Sequence, residues 1–152
     1  MNETFRQHVE QLHGTFEALV RMNPVTMATL PPTMPRSGVY LFSEGPKHLY
    51  IGRSRKIRQR LRLHVGGPAG ASFAFKLARE TCGRPKPTYV KEGSRTDLMT
   101  MPEFAEAFEA AKCRIKSMDI RFVAEADCNR QALLEIYATI SLDTPYNDFE
   151  TH

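Results

Sequence analysis

Tryptophan is absent from this 152-residue chain, and cysteine occurs only three times. Cys82, Cys113 and Cys128 stand far apart, with no CxxC pair and no histidine at ligand spacing. That suggests neither a disulfide framework nor a structural zinc site, and it fits a reducing cytoplasm best. No apolar run reaches the length needed to span a bilayer. The opening MNETFRQHVEQLHGTFEALV carries charges throughout and lacks the apolar stretch of a secretory signal. A cytoplasmic protein with no membrane partner is therefore expected. A further absence is local: from Arg53 to Arg62 there is no acidic residue, while Arg53, Arg55, Lys56, Arg58, Arg60 and Arg62 crowd the same stretch.

The overall excess of positive charge is mild, +4 with a sequence pI near 9.1, so its clustering matters more than its total. A basic run of this kind suits a polyanion such as nucleic acid, or it is a solvated helix face. The length favours one domain able to bury its own core.

Residues 2–22 are predicted helical, because Phe5, Val9, Leu12, Phe16, Leu19 and Val20 recur at helical spacing. Pro24, Pro31, Pro32 and Pro35 make 23–36 an extended connector. Residues 1–36 are thus expected as a helix and Pro-rich connector packed on a main domain of 37–152; a dimer contact is the alternative for the helix. GVYLFS and HLYIG read as strands joined through SEGPK. Helices follow at 55–65 and 71–81, a loop at 83–97, and a helix to about Lys116 opened by a capping box in Thr100-Met101-Pro102-Glu103. A strand over 118–126 and an apolar helix over 129–142 complete the pattern. The expected fold is α/β of the α+β type, with an antiparallel hairpin at its centre.

Alternation along the strands puts Val39 and Leu41 on one face and Tyr40 and Phe42 on the other, with Tyr50 opposite Leu49 and Ile51. A register pairing Tyr40 with Tyr50, through a three- or five-residue connection, would stand two phenols side by side; the alternative is a pair of ordinary half-buried strand aromatics. Gly38 and Gly52 leave room there for a backbone or a ligand. On the following helix, Ile57, Leu61, His64 and Val65 fall inward, Arg58 and Arg62 outward, and Arg60 on the flank. A guanidinium at Arg60 can clamp a phosphate with two hydrogen bonds.

Gly38-Val39-Tyr40, Tyr50-Ile51-Gly52, Arg60 eight residues later, and a downstream RQALLEIYATISLDTPYND together resemble the GIY-YIG nuclease family. The resemblance spans roughly residues 37–148 and is loosest over 67–117; Val39 stands where the eponymous isoleucine is usual. It implies a small antiparallel three-stranded sheet flanked by helices. It implies an endonuclease hydrolysing phosphodiester bonds, most directly in DNA, with one divalent metal, Mg²⁺ or Mn²⁺, on Glu135 and a supporting Asn147. His64 has a counterpart in some branches only.

Glu135 also stands out without the resemblance. It is the one charged residue between Gln131 and Leu142, and a carboxylate in an apolar helix needs a cation or a proton. The helical wheel, however, turns it away from a Leu133/Tyr137/Ile140 stripe, so an exposed glutamate is the alternative. Arg60 is expected to neutralise charge on the phosphate. Tyr40 is expected to take the proton from water, helped by cations such as Arg53 or Arg60 that lower a phenol's pKa, with Tyr50 orienting water or phosphate; the reverse assignment is open. His64 relays a proton or simply packs. Arg53, Arg55, Lys56, Arg58 and Arg62 are expected to bind nucleic-acid phosphates, and the loop cations Arg84, Lys86, Lys91 and Arg95 extend that surface or are plain loop residues. The substrate is expected to be DNA, branched, nicked or damaged forms included, with RNA a further option. The protein is a monomer or a homodimer. A non-catalytic nucleic-acid-binding module and an RNA-cleaving nuclease are the rival readings.

Overall fold

Antiparallel pairing of three strands, in the order β2-β1-β3, organises the computed structural model, which describes residues 1–67, 72–83 and 95–149. The elements are α1 (Glu3–Arg21), a 3₁₀ turn (Met27–Thr29), β1 (Gly38–Glu44), β2 (Lys47–Ser54), α2 (Ile57–Gly66), α3 (Ser72–Thr81), α4 (Arg95–Met99), α5 (Pro102–Lys116), β3 (Asp119–Ala124) and α6 (Cys128–Leu142). This is an α+β fold with a small three-stranded antiparallel sheet flanked by helices. The chain divides into two compact units, Met1–Arg60 with Met118–His152, and Leu61–Ser117. Among the described residues no helix is long and apolar enough to cross a membrane.

In the first unit, α1 starts where the Asn2 side chain accepts a hydrogen bond from the Phe5 N–H at 3.1 Å, a standard N-cap. Its Leu12 and Leu19 join Val39 and Leu41 of β1, Ile51 of β2, and Leu134 and Ala138 of α6 in one buried cluster. Phe16, Val123, Leu133, Tyr137 and Leu142 pack around it. Each large aliphatic side chain buried there contributes roughly 1.5–3 kcal/mol. Phe5, expected in the same stripe, is 46% exposed. The connector is not wholly extended: it makes the 3₁₀ turn, and Val25 exchanges both backbone hydrogen bonds with Ile120 on the outer side of β3, at 2.9 and 2.6 Å.

The second unit is built on phenylalanines. Phe75 of α3 lies 5.0 Å from Phe104 and 6.4 Å from Phe108 of α5, ring centre to ring centre. Arg79 stacks over Phe75 and Lys112 over Phe108. Two local expectations change here. Residues 95–97, expected as the end of a loop over 83–97, belong to α4; residues 84–94 of that loop lie outside the described residues. The capping box before α5 does not form, because the Thr100 hydroxyl donates back to the Asp97 carbonyl at 2.6 Å, and Met101 takes the cap position with Pro102 opening the helix.

Candidate active site

The hairpin differs from the expected register. Glu44 pairs with Lys47 across a two-residue turn, and a bulge between Phe42 and Ser43 leaves Leu49 as the extra residue of β2. Beyond the bulge, Tyr40 pairs with Gly52 and Phe42 with Tyr50. The two tyrosines still share a face of the sheet, as diagonal rather than direct neighbours. Gly52 leaves space for the Tyr40 ring and not for a ligand, since a Cβ built there would collide with Cζ and Oη of Tyr40. Gly38 has a comparable reason: its Cβ would strike the Val123 carbonyl on β3.

Tyr40 is buried, 1% exposed, edge-on to Phe42. Tyr50 is half-buried. The half-buried Arg60, from the second turn of α2, hydrogen-bonds the Tyr40 hydroxyl. Glu135 of α6 lies close enough for its charge to raise the pKa of both phenols. Four elements thus bring Tyr40, Tyr50, Arg60 and Glu135 to one place in the first unit.

The electrostatics run against the expected phenolate. Burial pushes the Tyr40 hydroxyl far above its ordinary 10.0, the neighbouring Tyr50 adds to the rise, and Arg60 opposes it through charge and hydrogen bond without cancelling it. Tyr50 is raised as well, by burial first and then by Glu135, with Arg60 again opposing. Both phenols are therefore protonated at neutral pH. Sequence spacing reports which cations are near a phenol, but not how deeply the phenol sits, and depth decides the sign.

The wheel drawn for α6 is also corrected. Its buried residues are Gln131, Leu134 and Ala138, whereas Ile140 is 74% exposed. Glu135 flanks that inward face, its side chain 18% exposed, and Arg53 Nε donates to its Oε2 at 2.8 Å. Arg53, expected as a phosphate anchor, is the counter-ion of the site's carboxylate.

Asn147 does not reach towards the carboxylate either. Its Nδ2 donates to the Ile51 carbonyl and its Oδ1 accepts from the Ile51 N–H, each at 2.8 Å. Thr144, buried, donates to the same Oδ1 at 2.8 Å, and the Tyr146 N–H reaches the Leu49 carbonyl at 3.3 Å. The Thr-Pro-Tyr-Asn turn thus grips the outer side of β2 on either side of Tyr50. Asn147 is a positioning residue. Thr144 was missed by sequence reasoning; its signal is the spacing Thr-x-x-Asn, which lets a hydroxyl brace an amide across a turn.

Of the remaining cations, Arg55 and Lys56 are exposed. Arg58 is half-buried and donates to the carbonyls of Pro31 and Pro32, holding the connector to α2. Arg62 and His64 belong to the second unit, where Arg62 is exposed and His64 is buried edge-on to Phe73 at 6.3 Å. Arg84, Lys86 and Lys91 lie outside the described residues, as does the side chain of Arg95.

Among the described residues no three His, Cys, Asp or Glu side chains gather into a metal-binding group. A hard cation such as Mg²⁺ does not need one, because it keeps several waters and takes one or two carboxylates along with substrate phosphate. A mostly buried carboxylate that already holds a cationic partner fits that chemistry, with Oε1 left outside the Arg53 hydrogen bond. Compared with models of known families, with curated proteins and with solved structures, the chain matches none.

Proposed function

We propose that the protein is a divalent-metal-dependent endonuclease of the GIY-YIG type, hydrolysing phosphodiester bonds in DNA. One observation carries the reading: Tyr40, Tyr50, Arg60 and Glu135, drawn from two strands and two helices, meet at one place with their charges coupled. Phosphodiester hydrolysis needs an activated water and compensation for the charge that builds on phosphorus-bound oxygens.

Glu135 is the residue that would hold a magnesium or manganese ion, which would supply Lewis acidity for phosphodiester hydrolysis. Arg60 sets its guanidinium against the non-bridging oxygens, oriented by its hydrogen bond to Tyr40. Tyr50, the more open phenol, is protonated as Tyr40 is and orients the attacking water or the phosphate through its hydroxyl, while the water's proton passes to solvent. Tyr40 stays protonated and positions Arg60. The exposed Arg55 and Lys56 give salt-dependent, sequence-independent hold on the phosphate backbone.

A second reading, a nucleic-acid-binding module without cleavage, is favoured by the Arg53–Glu135 pair, which compensates the carboxylate with no metal required. Incubating plasmid DNA and structured RNA with the protein, in Mg²⁺ or in chelator, separates the readings. Mg²⁺-dependent cutting of DNA is expected. Glu135→Ala should abolish it while DNA binding persists. Binding without cutting would favour the module, cutting of RNA alone would reassign the substrate, and undiminished cutting by Glu135→Ala would remove Glu135 from the mechanism.

A further inference from the structure

Arg53 and Glu135 meet with only one residue, Gly52, separating Arg53 from the clamped Ile51. The strand backbone below the arginine is therefore held, and the guanidinium arrives at Oε2 from a fixed root. It is itself exposed: 45% of the Arg53 side chain is open to solvent, against 18% for Glu135. The carboxylate is thus covered largely by protein, and the arginine that compensates it faces outward, where a phosphate could meet it. Arg60, the other cation here, is engaged on Tyr40.

We infer that Arg53 is a placeholder cation at Glu135, exchanged for the divalent metal when a phosphate backbone arrives. The inference rests on the nuclease reading and adds a regulation to it. With no polyanion present, arginine and metal compete for one carboxylate, and the metal is held weakly. A phosphate offers Arg53 a bidentate partner of equal sign, draws it outward, and opens Glu135 to the metal. Metal and nucleic acid then strengthen one another's binding by the same factor, as linkage requires.

The test titrates the full chain with Mn²⁺ in the absence of nucleic acid, following free Mn²⁺ by electron paramagnetic resonance. Arg53→Gln should bind Mn²⁺ more tightly than the parent, on the order of fivefold for a partly exposed ion pair. Arg53→Ala serves as the second variant, with circular dichroism verifying that each is folded. Arg55→Gln removes the same charge two residues away and should change Mn²⁺ binding less than twofold. Equal tightening by Arg55→Gln, or none by Arg53→Gln and Arg53→Ala, overturns the inference. A Glu135→Gln control separates the two levels. If it abolishes Mn²⁺ binding while the Arg53 variants bind like the parent, the inference fails and the nuclease reading stands. If Mn²⁺ binding ignores Glu135 throughout, both fall.

Discussion

The side-chain amide of Asn147 closes both backbone groups of Ile51, donor to carbonyl and acceptor to N–H, in the way a neighbouring strand would. The residues on either side of Ile51 are Tyr50 and Gly52, so this one side chain fixes the stretch that carries a site phenol and the space for the other.

Removing it should cost stability first. Asn147→Ala leaves two part-buried backbone groups without their partner, and a loss of about 1–3 kcal/mol in urea denaturation is expected. Asn147→Asp keeps the acceptor and should lose less. Equal losses for the two variants would show that the acceptor for the Ile51 N–H contributes nothing and that the donor to its carbonyl carries the whole effect.

Gly52 and Tyr40 should behave as a coupled pair. Gly52→Ala forces a methyl group against the Tyr40 ring, an overpacking expected to cost about 1–3 kcal/mol. In a Tyr40→Ala background the same change should cost less than half as much. A double-mutant cycle measures the difference, and simple additivity would place the strain elsewhere.

Arg60 and Arg58 are two residues apart and should fail differently. Arg60→Ala removes the partner of Tyr40 and the charge proposed for the phosphate, so turnover should fall by roughly 10²–10³-fold. Arg58→Ala frees the Pro31 and Pro32 carbonyls and should cost about 1 kcal/mol of stability, with little effect on turnover per folded molecule. Equal losses of turnover would make both plain phosphate anchors.

The phenols set an alkaline limit. Tyr40 and Tyr50 bind their protons more tightly folded than unfolded, so their contribution to stability is complete below pH 10.0, the ordinary tyrosine value, and declines as pH rises above it. In a spectrophotometric titration of phenolate, the native protein should show tyrosines that ionise only on alkaline unfolding, and Tyr40→Phe should remove part of that late step. Ionisation of all tyrosines near pH 10 with the fold intact would contradict the burial of Tyr40.

Much of the element order was legible because periodicity and Pro/Gly punctuation are local. The α1 stripe, the two short strands and the apolar α6 all announce themselves that way. The register was not, since the bulge at Leu49 depends on how the turn and the Phe42–Tyr50 pair settle together, and leucine carries no bulge signal. The grouping of Tyr40, Tyr50, Arg60 and Glu135 could be proposed from motif order, but three features needed coordinates. Depth of burial outweighs the arginine at Tyr40. Packing against α1 and the sheet, not hydrophobicity alone, decides which side of α6 turns inward, so Ile140 is exposed while Gln131 is buried. Lastly, Asn147 and Arg53 each found a partner within the chain, Ile51 and Glu135, where sequence offered only a ligand.

Val25 and Asn147 occupy opposite rims of the sheet, one on Ile120 of β3 and one on Ile51 of β2. A second copy trying to extend the sheet would have to evict one of them before its own amides could zip into place. Self-assembly is thereby steered away from strand addition and left to helical surfaces, such as the outward row of Ile136 and Ile140 on α6.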